Sequence, residues 1–121
     1  MSTSAAELVK SELESGTWSN HGSAPSIFIM ARESKRKYQN EGINLTNEPF
    51  DQEFTFVGTP IITDKEVFME IYARNEADRN NIFEDVKSIF EASSYDLTYR
   101  DVHFFDYRNR YRVEMIVRVL M

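Results

Sequence analysis

The residues in this chain best suited to move a proton near neutral pH are its two histidines, His21 and His103. Neither has a carboxylate at the spacing of a metal-binding motif, so each reads as an ordinary hydrogen-bonding histidine, one in a loop and one in a strand. A small hydrolase or isomerase pairing His103 with Asp101 or Asp106 is the enzyme that these residue types would permit. The carboxylate pairs Glu12/Glu14, Glu76/Asp78 and Glu84/Asp85 fall where solvated helix faces and first turns would put them. With four glycines there is no Gly-x-Gly-x-x-Gly, phosphate-binding loop or Gly-x-Ser-x-Gly elbow. The absence of cysteine removes disulfides, thiolate metal sites and cysteine nucleophiles together, and fits folding in a reducing cytoplasm. The expectation is a non-enzymatic protein without cofactor or metal, acting through its surface.

Two basic groups could make such a surface. Arg32, Lys35, Arg36 and Lys37, with Tyr38 beside them, have the composition of a phosphate-contacting and base-stacking patch. A net charge of −6, from 20 acidic and 14 basic residues, repels a phosphate backbone, so the cluster is read instead as a solvated or partner-facing hairpin. The second group, Arg100, Arg108, Arg110, Arg112 and Arg118, is interleaved with Tyr99, Tyr107 and Tyr111. Arginine and tyrosine are enriched at interface hot spots. Cross-strand pairing with Asp101, Asp106 and Glu114 is the competing use of these arginines. Ile116 and Leu120 share the side of Arg112 and Arg118, on a face expected to be exposed, which suggests burial against another chain.

The elements that must position these groups are legible in part. Ser4 and Glu7 have capping-box spacing, Ala5, Leu8, Val9 and Leu13 recur at helical spacing, and Gly16 is a natural terminator, giving a helix from about Ser4 to Ser15. Trp18, in the turn-rich stretch Thr17 to Pro25, is expected to plug one end of the core. Ser26 to Arg32 is a β-favouring run whose continuous apolar character predicts a strand that is central or covered by a partner. Glu33 to Asn47 is polar and is read as a strand extension with a long hairpin loop. Glu53 to Val57 and Ile61 to Thr63 resume β character around Pro60. Lys65 to Arg74 alternates as a half-buried strand, and Asn75 caps a helix whose stripe is Ile82, Phe83, Val86, Ile89 and Phe90. Leu97 to Phe105 and Arg110 to Met121 form a terminal hairpin.

At 121 residues and 41% hydrophobic content the chain suffices for a single domain, residues 1–121, with one modest core. The predicted class is α+β: a mixed or antiparallel sheet of about four to five strands, one long helix packed on it, a short N-terminal helix and a C-terminal β-hairpin. The longest apolar run, Ile27 to Ala31, is too short for a membrane span, and the N-terminus carries no basic leader, so a soluble, unexported protein with no membrane partner is expected.

This order of elements resembles the tail terminator and tail completion (neck) proteins of tailed phages and archaeal tailed viruses. The likeness is carried by Ala24-Pro25-Ser26-Ile27-Phe28-Ile29, by Val67-Phe68-Met69-Glu70-Ile71-Tyr72 leading into Asn75-Glu76-Ala77-Asp78-Arg79, and by Tyr107 to Met115 in the hairpin. It covers most of the chain as architecture. The resemblance implies a virion structural protein, assembled in the host cytoplasm, that forms a homo-oligomeric ring, commonly a hexamer. Such a ring caps the tail tube, stops its polymerisation and joins it to the head–tail connector proteins, with DNA passing non-specifically through the lumen. Ring closure needs one patch to meet a different patch on the neighbour. Arg108, Arg110, Tyr111, Arg112, Ile116 and Arg118 in the hairpin, and Arg32, Lys35, Arg36 and Lys37 in the loop, are the candidates for the two kinds of contact. The alternative is a small cellular ferredoxin-like or dimeric α+β domain that binds a small molecule or acts as a regulatory dimer.

Overall fold

The computed structural model describes residues 5–30, 40–47, 64–107 and 109–120. The elements follow in the order α1 (Ala5–Ser15), β1 (Ile27–Ile29), β2 (Glu41–Asn47), β3 (Asp64–Ala73), α2 (Glu76–Ala92), β4 (Asp96–Tyr107) and β5 (Arg110–Leu120). Among the described residues the strands form one five-stranded sheet in the order β1-β2-β3-β5-β4. β1 runs parallel to β2 and the other neighbours are antiparallel, so the sheet is mixed and the class is α+β. No described helix is long and apolar enough to cross a membrane.

Alternation in the strands creates the core. Ile43, Ile71 and Val113 lie in register across β2, β3 and β5, as do Leu45, Met69 and Met115, and all six are buried. They meet Ala5, Val9 and Leu13 of α1 and Ile82, Val86, Ile89 and Phe90 of α2 in one apolar cluster. Each fully buried branched aliphatic side chain contributes about 1.5–3 kcal/mol relative to leaving it in water, which a three-turn helix such as α1 needs in order to persist. Asn75 caps α2 as its sequence suggests, its side-chain oxygen accepting from the Asp78 N–H at 2.8 Å. Trp18 is buried and its indole N–H donates to the Leu13 carbonyl at 2.9 Å, closing the end of the core beside α1.

Gly16 ends α1 for a packing reason. A Cβ built there would fall 2.6 Å, 2.7 Å and 2.9 Å from three side-chain atoms of Ile89, so the missing side chain lets the end of α1 close on α2. Gly16→Ala is therefore expected to destabilise the fold by about 1–3 kcal/mol, the cost of overpacking against a stiff β-branched neighbour. Urea denaturation measures it; a loss below about 0.5 kcal/mol, the ordinary scatter of surface changes, would show that the helices part freely.

Two expectations change. Glu41–Asn47, read as part of a polar hairpin loop, is the second strand of the sheet; Ile43 and Leu45 face the helices, while Asn44 and Thr46 are buried on the other face, so its polar residues masked a strand. The apolar run after Pro25 is a short strand at the edge of the described sheet, which overturns a central position and leaves cover by a partner as the other expectation. The β-favouring segments Glu53 to Val57 and Ile61 to Thr63, the Ser4 cap and the Arg32–Lys37 cluster lie outside the described residues.

Candidate interaction surface

β5 is flanked on both sides, by β3 and by β4, so its alternation divides the arginine and tyrosine residues between two faces. Tyr111 points with Val113 and Met115 towards the helices and is half-buried, with the Arg79 guanidinium 5.8 Å from its ring. Arg110, Arg112, Ile116 and Arg118 belong to the opposite face. Arg118 is exposed, Arg110 and Ile116 are half-buried, and Arg110 donates to the Asn109 carbonyl at 3.0 Å. Arg108 lies outside the described residues.

Arg112 is 3% exposed and Glu70 1% exposed, which corrects the reading of Arg112 as a surface contact and of Lys65 to Arg74 as a strand buried on one side alone. Arg112 lies between Tyr72 and Phe105 in the register across β3, β5 and β4, one row from Glu70, and its Nη1 donates to Glu70 Oε2 at 3.2 Å. Asn44 Nδ2 donates to the other Glu70 oxygen at 3.3 Å. The guanidinium carbon sits 4.9 Å from the Tyr107 ring centroid and 5.8 Å from that of Phe105. A carboxylate, a guanidinium and an amide thus hold three strands together on the face away from the helices. Burial of two charges is compensated only by such pairing.

His103 is exposed, lies opposite Glu114 in the register and stacks obliquely on Phe105 at 5.9 Å. Asp106 aligns with Tyr111, on the helix side of the sheet, and Asp101 is paired with Arg100 at 2.6 Å. The structure therefore brings neither acidic candidate to His103. A bulge separates Arg100 from His103, with Asp101 at φ 57°, and sharpens the twist of β4 there.

His21 has a different setting. Its Nδ1 is 2.6 Å from the Ser23 carbonyl and its Nε2 contacts the Glu41 carboxylate. Two acceptors require two ring donors, which the imidazolium supplies. Burial works against that charge, but the Ser23 carbonyl and Glu41, with Asp78 further off, outweigh it and raise the His21 pKa. Asp85, buried on α2, accepts from the backbone N–H groups of Asn20 at 3.0 Å and His21 at 2.8 Å, and so anchors the same loop. Because the folded pKa lies above the unfolded value near 6.5, the contribution of His21 is complete below about pH 6.5 and is lost as pH rises through the raised folded value. The stability gap between wild type and His21→Gln should accordingly narrow from pH 5.5 to pH 8.5 in urea titrations. A gap that widened with pH would contradict the assignment.

The large apolar side chains left exposed have a pattern of their own. Phe28 and Ile29 lie on β1 at 37% and 39% exposure; Tyr99, Phe104 and Tyr107 lie on β4 at 37%, 46% and 53%, and Tyr95, at 45%, stands just before β4. β1 and β4 are the two opposite edges of the described sheet. On the helix side Phe104 and Tyr99 pack edge-on against Phe83, at 5.3 Å and 6.3 Å, and Arg79 covers Phe104 at 4.8 Å, so each ring is held in place with part of its surface free. The sequence signals for these residues were the apolar run Ile27 to Met30 and the aromatic density of Tyr99 to Tyr107, but without the strand order nothing marked them as edges. Among the described residues no group of His, Asp and Glu side chains could hold a metal ion. No protein-family model and no curated protein matches this chain.

Proposed function

We propose that this chain is a ring-forming structural subunit of a virion neck. It resembles a tail terminator that caps the tail tube, stops its polymerisation and joins it to the connector proteins. One observation carries this reading: of the exposed large apolar residues, all but Tyr95 lie on the two edge strands of the described sheet. A two-fold dimer needs one self-complementary patch, whereas a closed ring needs two unlike patches that meet head to tail. Edge strands with exposed aromatic groups are costly to leave unpaired, because they template association with any other strand. The acidic balance of −6 suits a lumen through which DNA slides, since like charges prevent tight binding. The element order supports the family resemblance from Ala24 to Ile29 through to the terminal hairpin.

The alternative, a small ferredoxin-like or regulatory dimer, is served by a ligand pocket between helix and sheet. Val9, Leu13, Ile82, Val86 and the sheet residues facing them fill that interface. A described cleft of about 430 Å³ lies at the surface instead, lined by Glu12, Asn20, Asp85, Ser88 and Ser93 among others. Native mass spectrometry separates the two readings. A closed ring of identical subunits, commonly six, or a monomer that forms such a ring on added tail tubes, supports the neck protein. A stable dimer that ignores tubes contradicts it.

A further inference from the structure

Strand directions constrain how two copies could join. β1 runs with β2, β2 against β3, β3 against β5 and β5 against β4, so β1 and β4 run in opposite directions within one subunit. A rotation axis along the strands leaves those directions unchanged from copy to copy, so β4 of one copy meets β1 of the next in antiparallel sense. On either side of β1 the Ser26 carbonyl accepts from the Ile43 N–H at 2.9 Å and the Met30 N–H donates to the Leu45 carbonyl at 2.7 Å, both on β2. Backbone groups alternate along a strand, so those of Ile27 and Ile29 point away from β2, towards the outer edge.

The side chains match by face. Ile29 aligns with Leu45 and so lies on the helix side, while Phe28 aligns with Asn44 on the other. On β4, Tyr99 aligns with Val117 and Phe104 with Val113 on the helix side, and Tyr107 aligns with Arg110 on the opposite side. Each edge therefore offers exposed apolar surface on both faces. A β4-to-β4 dimer would cover only one of the two edges and leave Phe28 and Ile29 in water.

From this we infer that β4 takes β1 of a second copy as an added antiparallel strand, with Ile29 against the Tyr99 and Phe104 side and Phe28 against the Tyr107 side. The inference rests on the ring reading and specifies which strands make the ring contact. The occupant of the edge is a second copy of this chain because the same molecule carries both halves of the match. The three residues of β1 make the main-chain contact short, so the aromatic groups supply most of the buried area.

The chain has no cysteine, so introduced thiols are the sole thiols present. The singly substituted chains Ile29→Cys and Phe104→Cys are mixed at a concentration high enough to offset the affinity that truncating both side chains costs, and treated with a short bis-maleimide, beside each variant alone and beside a Phe28→Cys and Phe104→Cys mixture. The expected result is a covalent dimer in the 29/104 mixture at least tenfold more abundant than in either variant alone or in the 28/104 mixture. Phe28→Cys with Tyr107→Cys should restore cross-linking. Strong dimerisation of Phe104→Cys alone would overturn the inference in favour of a two-fold β4 contact. Rings seen by native mass spectrometry without the 29/104 product would overturn the strand assignment and leave the ring standing. A protein monomeric with and without tail tubes, and uncross-linked, would overturn both.

Discussion

Arg112→Met is expected to destabilise the protein by about 3–5 kcal/mol, because it leaves the Glu70 carboxylate buried without its cation. Glu70→Leu should cost a similar amount for the converse reason, a buried guanidinium beside the Tyr107 and Phe105 rings that has lost its carboxylate. The two side chains are 4% and 2% exposed, so solvent cannot replace the lost partner. The combined Glu70→Leu and Arg112→Met variant should recover most of the loss, since apolar residues of similar volume often match or exceed a buried ion pair. Its residual cost comes from Asn44, whose amide would lose its acceptor on Glu70. Chemical denaturation of all three variants provides the cycle. Additive losses in the double variant would mean that the two charges do not depend on one another.

The second large effect concerns assembly. Ile29→Lys places a charge on one edge of the sheet, and Phe104→Gln removes a half-exposed ring from the other. Lysine on an edge strand is an effective block to strand addition. Stability should change little for Ile29→Lys, as at other exposed sites. Removing a central aromatic contact of an interface costs about 2 kcal/mol or more, a loss of affinity above tenfold. Each variant alone should therefore fail to form rings. An equimolar mixture should form heterodimers, because the intact β4 of Ile29→Lys can meet the intact β1 of Phe104→Gln. Rings from either variant alone would contradict an interface built on those edges.

How far the sequence disclosed this molecule follows from which signals are local. The helices were legible because periodicity and caps are local: the Ile82 to Phe90 stripe and the Asn75 cap stand in the structure as they stand in the chain. The β3 and β5 strands were legible through alternation, and β4 through its β-favouring residues and the turn that follows them. β2 was not, because Asn44 and Thr46 on its second face made it resemble a loop. Arg112 and Glu70 were misplaced for a related reason. Charge in a strand ordinarily signals a solvated face, and only the register that puts β5 beside β3 shows the pair to be buried. The exposed edge residues were present in the sequence as an apolar run and an aromatic cluster. Their meaning depends on strand order, which the sequence pattern did not determine.

The proposed ring that caps a tail tube is most directly tested by assembling purified tail-tube subunits with and without this protein and measuring tube length and end structure by electron microscopy. Tubes should stop growing once the protein is added and carry a ring of it at one end, with Ile29→Lys losing both effects. Tubes that elongate equally with and without the wild-type protein, and bear no added density at either end, would contradict it.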